Sequence, residues 1–285
     1  MKTTAATSGE AGAPSGTRLP DLRIVPSAAL LLHEEYDPDR VARLVTSLGA
    51  EGTLRNPPVV AALDGGMHVV LDGANRVTAL QQSGIPDQLV QVVEYDDPAI
   101  ALDVWAHLLQ QDGLLVVGRG SSAQGWQPMT AETVQTGLEE GTLACGIVDV
   151  TGARGLPSSG GLAGRVRAIR DIVAGYKGRT SIYRVQAADI ESLEREYGRA
   201  GALVLFPRLG KPDIRAIARL PVKLPSGISR HIVPHRALRV NLDLALLKSA
   251  DPVAVKQEGL DEVIRARLLE HRVRHYPEAT VLYDE

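Results

Sequence analysis

The chain has 285 residues, 44% of them hydrophobic, which is enough apolar material for the core of one large domain or of two packed lobes. Its 31 lysines and arginines stand against 34 aspartates and glutamates, so no global positive field exists to hold a polyanion, and bulk nucleic-acid binding is disfavoured. Cys145 is the single cysteine, which excludes an intramolecular disulfide and a multi-cysteine zinc site and fits a reducing compartment.

The first eighteen residues, MKTTAATSGEAGAPSGTR, are mostly small and polar, and they lack the apolar core of a signal peptide. We therefore expect a disordered tail over 1–18. No run in the chain approaches the roughly 18 apolar residues needed to span a bilayer. The sequence predicts a soluble, cytoplasmic protein that does not contact a membrane.

A strand is predicted at 22–25, and the leucine-rich segment after it ends abruptly in the polar run HEE at 33–35. Asp37 can cap a helix whose first position is Pro38. Apolar residues follow at helical spacing until Gly49, where we expect the helix to end. The HEE run therefore lies on the loop that enters this helix.

Two apolar runs rich in β-branched residues, PPVVAAL and MHVVLD, flank the turn residues Asp64-Gly65-Gly66, which predicts a β-hairpin. The turn Asp72-Gly73 follows the second strand directly. A short helix is predicted from Ala74 to the terminating Gly84. Another strand is predicted at 89–95, so a glycine turn connects a strand to a helix here.

Beyond residue 97 the pattern changes to a longer alternation of helices and strands. We predict three helices and two strands in this part, at 100–110, 164–176, 188–197, 203–206 and around Ile182. This change divides the chain into a first lobe at 19–97 and a larger second lobe at 98–285.

The segment VVLDGANRVTAL carries the first candidate site, because a strand that leads through glycine into a helix start brings unpaired backbone N–H groups to one point. Gly73 allows a phosphate to approach the backbone, and the guanidinium of Arg76 can reach back to it. Asp72 would oppose a bare phosphate but suits a magnesium-bound one, or a hydroxyl that must be oriented. The alternative is a capped turn in which Asp72 only satisfies helix N–H groups.

Glu34 is the second candidate, because a carboxylate on a helix-entry loop beside a phosphate site can take a proton from an attacking alcohol. The alternative is a solvated surface acid, since acidic residues near a helix N-terminus are stabilising by themselves. The local pattern leaves both interpretations open.

The segment SGISRHIVPHRALRVN is the third candidate, and it concentrates one hydroxyl with five cationic or titratable side chains: Ser229, Arg230, His231, His235, Arg236 and Arg239. Period-2 alternation places Ser229 and His231 on one face of a strand and Arg230 on the other. One face could bind a carboxylate or a phosphate. The alternative is an exposed basic strand edge that discourages aggregation.

Three spaced motifs, HE, RNPPVV and DGANR, together resemble the ParB/sulfiredoxin-like fold, whose members carry a DGxHR-type turn. With SGISRHIVPHRALRVN matching their TGITRHxIPxRAL segment, the chain more narrowly resembles the free L-serine kinases of that superfamily, of the siderophore-pathway and archaeal type. The resemblance spans most of the chain after residue 20. It implies an α+β fold, with a small ParB/sulfiredoxin-like nucleotide lobe packed on a larger α/β lobe that binds the amino acid.

The resemblance implies a kinase that transfers the terminal phosphate of ATP or ADP to the hydroxyl of free L-serine, giving O-phospho-L-serine for amino-acid or siderophore biosynthesis. Mg2+ is the implied cofactor, held mainly by the nucleotide phosphates and with Asp72 as a further ligand. Glu34 matches the catalytic base, with Glu35 as the less favoured register, and Asp72 is also implied in catalysis. The nucleotide site is implied at Asp72, Gly73, Ala74, Asn75 and Arg76, and the amino-acid site at Ser47, Trp105, Ser229, Arg230 and His231.

Two positions depart from the family pattern. Asn75 stands where the family usually has histidine, so the side chain can still donate to a phosphate but cannot become cationic. Ser229 stands where the kinases usually have threonine, which keeps the hydroxyl and loses a methyl group. These changes put the nucleotide preference and the identity of the amino acid in question.

Two rivals share the nucleotide lobe. A ParB-like nucleotide-dependent DNA-binding or regulatory protein is disfavoured by the net charge of -3 and by the lack of a clear helix-turn-helix, although the arginine-rich stretch GRVRAIRDIVAGYKGR keeps it open. A sulfiredoxin-type reductase needs a reactive cysteine beside the phosphate turn. Cys145 is far from DGANR in sequence, so this rival is discounted.

Overall fold

The computed structural model describes residues 19–110, 125–186, 190–197 and 200–276. Helices and strands are interspersed along these ranges, and the fold is mixed α+β, which confirms the predicted fold class. The tail predicted at 1–18 lies outside the described residues. Within the described ranges, no helix is both long enough and apolar enough to cross a membrane.

A five-stranded mixed sheet is built from the first part of the chain, with the strand order β1-β6-β4-β5-β2. Strand β2 runs parallel to β5, and β4 runs parallel to β6, while the other neighbours are antiparallel. The strands are β1 (Asp21–Pro26), β2 (Leu30–Leu32), β4 (Val59–Ala62), β5 (His68–Asp72) and β6 (Asp87–Val93). The predicted hairpin is confirmed, because β4 and β5 pair across the turn residues 64–66.

Two helices lie beside this sheet, α1 (Pro38–Glu51) and α2 (Ala74–Gln82). Helix α1 begins as predicted, since the Asp37 carboxylate accepts a hydrogen bond from the Arg40 N–H at 3.0 Å. It runs past Gly49 and ends at Gly52, whose left-handed backbone lets its N–H bond the carbonyl of Leu48. The predicted end at Gly49 was therefore wrong. An exposed glycine within a helix lowers the stability of the helix only slightly, and the helix continues to the C-cap one turn later.

The second sheet has six strands in the order β12-β8-β13-β10-β11-β9, and every neighbouring pair is antiparallel. Its strands are β8 (Ala106–Gln110), β9 (Gln127–Met129), β10 (Leu143–Asp149), β11 (Gly152–Pro157), β12 (Ile182–Val185) and β13 (Ala200–Leu205). The helices around it are α3 (Ala131–Glu139), α4 (Gly161–Tyr176), α5 (Ile190–Tyr197) and α6 (Lys211–Arg219). The predicted strands near 182 and 203–206 and the predicted helices near 164–176 and 188–197 are confirmed, with small shifts at their ends.

The helix predicted over 100–110 is wrong, because this segment forms two strands, β7 (Ala101–Val104) and β8. Apolar residues at 102, 105, 108 and 109 have helical spacing, but those at 102, 104, 106 and 108 also alternate as in a strand. Pairing with strands that are distant in sequence decides between the helical and the strand pattern. Strand β8 is hydrogen-bonded on one side by β12 and on the other by β13, so its backbone groups are satisfied within the sheet.

The remaining elements belong to the last part of the chain: β14 (Ser229–Ile232), β15 (Leu242–Asp243), α7 (Leu244–Lys248) and α8 (Val253–Leu269). Strand β14 pairs with β7, and β15 pairs with the two-residue strand β3 (Thr53–Leu54). Buried residues from α7, α8 and β15 join one hydrophobic cluster with residues of β1, α1 and α2. The C-terminal elements therefore pack on the first sheet, while the division of the chain between residues 97 and 98 stays a prediction.

Another hydrophobic cluster joins the two sheets, since Val59 and Leu71 of the first sheet share it with Leu109 and Cys145 of the second. Leu71 of β5 and Ile228, just before Ser229, both belong to this shared core, which relates the two segments to each other. Cys145 is fully buried, and burial raises the pKa of its thiol. A buried, inert thiol agrees with the discounting of a cysteine-dependent reductase.

Lys256 on α8 is buried and its Nζ lies 2.6 Å from Oδ2 of Asp87, at the start of β6, and 3.0 Å from the carbonyl of Leu247. We expect Lys256→Met to lower the free energy of unfolding by about 3–5 kcal/mol, because it leaves a carboxylate without its buried partner. Urea denaturation followed by circular dichroism measures this. Lys248→Met, at an exposed lysine, is the matched control and should change it by about 0.5 kcal/mol or less. Equal effects of the two variants would contradict the expectation.

Candidate active site

The candidate site lies where the parallel strands β2 and β5 end. Leu32 pairs with Val70, so the same register, continued beyond β2, sets Glu34 beside Asp72. A contact farther along agrees with this register, because the Asp37 N–H donates to Oδ1 of Asn75 at 2.7 Å. The carboxyl ends of neighbouring parallel strands are a common place for ligand sites in mixed sheets.

The turn after β5 holds one carboxylate between two guanidinium groups. Oδ2 of Asp72 accepts from Nη2 of Arg76 at 3.0 Å and from Nη2 of Arg236 at 2.6 Å. Burial acts to raise the pKa of Asp72, but the charges of Arg236 and Arg76 outweigh it and hold this pKa below its usual value. The side chain is still 42% exposed. Asp72 is therefore an anion that a ligand can reach from solvent.

Gly73 makes the turn possible, since its φ is +96° and an added Cβ would lie 3.1 Å from backbone and side-chain atoms of Pro58. We expect Gly73→Ala to lower the free energy of unfolding by about 2 kcal/mol or more, through backbone strain and overpacking, and to weaken nucleotide binding. Gly84→Ala is the matched control, because Gly84 also has a positive φ but open space around it.

Urea denaturation and calorimetric titration with ADP measure the two effects of this substitution. A Gly73→Ala protein that loses no more stability than Gly84→Ala, and binds ADP normally, would contradict the expected role of the turn.

Asn75, the residue that departs from the family pattern, has a structural contact of its own. Its Oδ1 accepts the Asp37 N–H, so it joins the start of α2 to the start of α1. Ala74 precedes it as the first residue of α2, and Gly73 is the N-cap. The Asn75 amide therefore connects the loop after the HEE run to the turn at Asp72-Gly73.

Glu34 is held by the segment that leads into β14. Its Oε2 accepts the Gly227 N–H at 2.8 Å, and its Oε1 accepts the N–H groups of Ile228 at 3.1 Å and Ser229 at 2.6 Å. The Ser229 hydroxyl lies 2.7 Å from Oε1 as well. Two motifs that are far apart in sequence, HEE and SGISRH, therefore meet at one carboxylate.

His33 lies behind this carboxylate and is 4% exposed. Its Nδ1 lies 2.7 Å from the carbonyl oxygen of Val70, and its Nε2 lies 2.7 Å from Oγ of Ser229. Burial lowers the pKa of His33, so the imidazole is neutral at neutral pH. Sequence analysis gave this residue no role, although its place next to Glu34 was a usable signal.

His231 points to the same side of β14 as Ser229, as the alternation predicted. Its Nε2 lies 2.7 Å from the hydroxyl of Tyr95, and its ring meets that of His33 at a centroid distance of 5.4 Å. Burial lowers the pKa of His231 to about 3 and raises the pKa of Tyr95. The protonated Tyr95 hydroxyl then donates to Nε2, so Nδ1 carries the imidazole proton.

Nη1 of Arg230 and Nε of Arg236 are buried and have no hydrogen-bond partner within the described ranges, and Nδ1 of His231 is buried near the carbonyl of Leu71 without a well-formed hydrogen bond. All three are donors. Buried polar atoms without partners are rare in folded proteins, and such atoms are candidates for contacts with a ligand. Donors of this kind suit an anionic group such as a carboxylate or a phosphate.

Trp105 lies between β7 and β8, and its backbone N–H donates to the carbonyl of Ile228 at 2.9 Å. The guanidinium of Arg230 lies over its ring, 4.5 Å from the centroid. Arg230 is therefore on the face of β14 opposite Ser229 and His231, as predicted. The structure brings Trp105 to the segment that holds Glu34, and not into a helix.

Ser47 is the one proposed substrate residue whose described contacts do not connect it to this cluster. It lies on α1, where its hydroxyl donates to Glu51 at 2.8 Å. Glu35, the alternative register for the base, points away to an ion pair with Arg170 at 2.8 Å. Glu34 and Glu35 therefore have different partners, the 227–229 segment and Arg170. The role of Ser47 stays a prediction.

The arginine-rich stretch that kept a DNA-binding rival open lies mostly in α4. This helix buries an apolar stripe in the core shared by the two sheets: Val166, Ile169, Ile172, Val173 and Tyr176. Its Arg170 pairs with Glu35. Core packing accounts for the apolar residues of the stretch, and an ion pair accounts for Arg170.

No family model matches the chain. The ATP-dependent L-serine kinase SbnI of Staphylococcus aureus is 26% identical over 239 residues, which cover 81% of this chain and 86% of that kinase. A solved structure of SbnI from S. aureus with a C-terminal truncation has a TM-score of 0.71 and 21% identity, covering 87% of this chain and 97% of that chain.

A solved free serine kinase in complex with AMP has a TM-score of 0.68 and 15% identity, covering 81% of this chain and 95% of that chain. A variant of a free serine kinase in complex with ADP has a TM-score of 0.69 and 16% identity, with the same coverage. The chain thus has the fold of the free serine kinases, as the sequence resemblance implied. The ParB-like alternative is not favoured by these relatives.

Proposed function

We propose that the chain is a free L-serine kinase, which transfers the terminal phosphate of ATP to the hydroxyl of L-serine and gives O-phospho-L-serine. The observation that carries the proposal is the meeting of three motifs, in which Glu34 is held by the Ser229 segment at the end of β2 while Asp72 begins the glycine turn at the end of β5. A base and a phosphate turn are what phosphoryl transfer to an alcohol requires. The similarity to the ATP-dependent L-serine kinase supports the choice of donor and acceptor.

In the proposed mechanism the nucleotide phosphates bind at the turn formed by Gly73, Ala74 and Asn75, beside the guanidinium groups of Arg76 and Arg236. The N–H groups at the start of α2 and these cations would neutralise charge on the transferring phosphoryl group. Arg236 was noted in the sequence without a role, and its contact with Asp72 is the reason to include it.

Mg2+ is part of the proposal, and Asp72 is the side chain proposed as its ligand from the protein. Within the described ranges no group of three or more histidine, cysteine or acidic side chains could hold a metal ion. Asp72 offers one reachable carboxylate, which fits an ion that is otherwise held by nucleotide phosphates and water. When bound there, Mg2+ would supply charge neutralisation at the phosphates.

Glu34 is proposed as the base that receives the proton of the serine hydroxyl. Its Oε2 accepts one hydrogen bond among the described residues, from the Gly227 N–H, so it retains a lone pair for the substrate. The half-buried position of Glu34 keeps it accessible. Positioning of the hydroxyl and the phosphate, and not covalent chemistry by the protein, would supply most of the rate.

The donors on β14 are proposed to bind the amino acid. Nδ1–H of His231 and the Ser229 side chain lie on the face that also bears Glu34, and Nδ1–H lacks a well-formed hydrogen bond among the described residues. A substrate carboxylate near this face would satisfy that buried donor. Trp105 and Arg230, which pack against each other on the other face of β14, are the remaining residues proposed for the amino-acid site. A cytoplasmic location, with nucleotide and free serine as the partners, completes the proposal.

A substrate panel tests the proposal. Purified protein with Mg2+ is incubated with ATP or ADP and with serine, threonine or homoserine, and the phosphorylated amino acid is identified by mass spectrometry. We expect phosphoserine from ATP, and a product with ADP would reassign the donor. Transfer to threonine or homoserine in preference to serine would overturn the assigned substrate.

A further inference from the structure

Three side chains form a continuous row of short contacts beside the proposed catalytic base. The row runs from the Val70 carbonyl through Nδ1 and Nε2 of His33 to Oγ of Ser229 and then to Oε1 of Glu34. Each of its three gaps is 2.7 Å. Such donor–acceptor distances are typical of hydrogen bonds.

The row has three donor–acceptor pairs but only two protons to share among them when Glu34 is ionised and His33 is neutral. The Val70 carbonyl has no proton, so the first gap takes the single imidazole proton, on Nδ1 of His33. Nε2 is then an acceptor. The Ser229 hydroxyl has one proton and faces two acceptors, Nε2 of His33 and Oε1 of Glu34, so it can satisfy only one of them.

The surroundings of His33 favour this proton-deficient resting state. Burial is the largest influence and lowers its pKa, and the charge of Lys223 acts in the same direction. Glu34 and Asp72 act in the opposite direction, while the neighbouring imidazole of His231 is itself neutral because burial lowers its pKa to about 3. At neutral pH Nε2 of His33 therefore carries no proton, and the row has room for one more.

We propose that His33, Ser229 and Glu34 act as one proton-accepting unit, in which His33 is a positioning residue that receives, through Ser229, the proton that Glu34 takes from the substrate hydroxyl. The inference rests on the proposed kinase function and extends it to a residue that makes no contact with substrate. It also gives Ser229 a function beyond contact with the amino acid.

The step balances in protons and electrons. The substrate O–H bond breaks as its oxygen forms a bond to the terminal phosphorus, and the bond from that phosphorus to the leaving nucleotide oxygen breaks. The proton joins Oε2 of Glu34, and the neutral carboxyl group then turns about its Cγ–Cδ bond so that the protonated oxygen faces Ser229. A proton passes from Glu34 to Oγ of Ser229 while the original Ser229 proton moves to Nε2 of His33, which completes all three hydrogen bonds and leaves Glu34 ionised.

Kinetics of His33→Gln test the unit, because the amide can fill the space and form hydrogen bonds but cannot accept a proton. We expect kcat to fall by on the order of 10-fold to 100-fold, below the full effect of removing a general base, while KM for serine changes little. The acid limb of the pH profile of kcat should move to lower pH by roughly one unit, because the row loses the imidazole that takes up the proton.

Substitutions at Ser229 provide a second route in case His33→Gln folds poorly. Ser229→Ala breaks the row while leaving both titratable groups in place, and we expect the same shift of the acid limb. Ser229→Thr keeps the hydroxyl and should restore the acid limb of the unmodified protein. His68→Gln is the matched histidine control, because His68 is half-buried at the start of β5 and lies outside the row.

Nitrogen-15 NMR of the histidines in the ligand-free protein provides a readout that does not depend on activity. We expect His33 to be neutral at pH 7 with its proton on Nδ1. A proton on Nε2, or kcat and acid limbs that do not change in His33→Gln and Ser229→Ala, would overturn the unit. Failure of the unmodified protein to make phosphoserine would instead overturn the proposed function, and the NMR result would still decide on the row.

Discussion

Glu34→Gln is expected to lower kcat for phosphoserine formation by about 10²–10⁴-fold, the range typical of a lost general base. The amide keeps the size of the carboxylate but cannot take the substrate proton. It also turns an N–H donor toward one of the backbone donors of Gly227, Ile228 and Ser229, so we expect a loss of stability of about 1–3 kcal/mol. Rapid-quench assays of phosphoserine and urea denaturation measure the two effects separately.

Glu35→Gln is the matched control for this prediction. It changes the adjacent carboxylate, which pairs with Arg170. We expect kcat to remain within about twofold of the unmodified value, since a partly exposed ion pair contributes about 1 kcal/mol or less. If Glu35→Gln lost activity and Glu34→Gln did not, the base would have been assigned to the wrong residue.

Asp72→Asn is expected to have opposite effects on binding and on turnover. The substitution removes the anion held between Arg76 and Arg236, so both guanidinium groups become available to phosphates. We expect ADP to bind several-fold more tightly in the absence of Mg2+, because a nearby negative charge is gone. With Mg2+ and ATP, kcat should fall by about 10²–10³-fold, because a group that orients the phosphates and their metal is lost.

Isothermal titration with ADP plus chelator, and steady-state assays with Mg2+, measure these two effects. Asp64→Asn is the control, since Asp64 lies in the exposed hairpin turn and its side chain is fully exposed. An Asp72→Asn protein that binds ADP more weakly without Mg2+ would show that Asp72 supports the nucleotide by another route, and the assignment would be contradicted.

Much of the first sheet could be predicted from local chemistry. The residues 64–66 form the predicted turn, Asp37 and Pro38 start α1 as predicted, and α2 starts at Ala74. Each of these features depends on a few adjacent residues with strong conformational preferences. Such preferences are visible in a single sequence.

The segment around Trp105 could not be predicted in the same way. Its apolar residues satisfy a helical and a strand period at once, and the choice is made by β12 and β13, which are encoded about 75 residues or more farther along the chain. The helical reading also hid the position of Trp105 against Arg230.

The candidate site shows the same division between local and distant information. The glycine turn after Asp72 was recognisable from its own residues. The contact of Glu34 with Ser229 joins residues 195 positions apart, and only the resemblance to a family related the two motifs. Tyr95 carried no local signal, because a single tyrosine in an apolar segment is most often part of the core. For His33 the one signal was its place next to Glu34 in the HEE run.

The most direct test of the proposed kinase activity follows the phosphates of ATP and of phosphoserine in one sample. Purified protein, Mg2+, ATP and L-serine are monitored by phosphorus NMR, with Glu34→Gln in parallel. The account predicts that the terminal phosphate signal of ATP decreases and the phosphoserine signal increases one for one, and that both changes are nearly absent in the variant. Stable ATP, or hydrolysis to inorganic phosphate without phosphoserine, would contradict the assignment of this chain as a serine kinase.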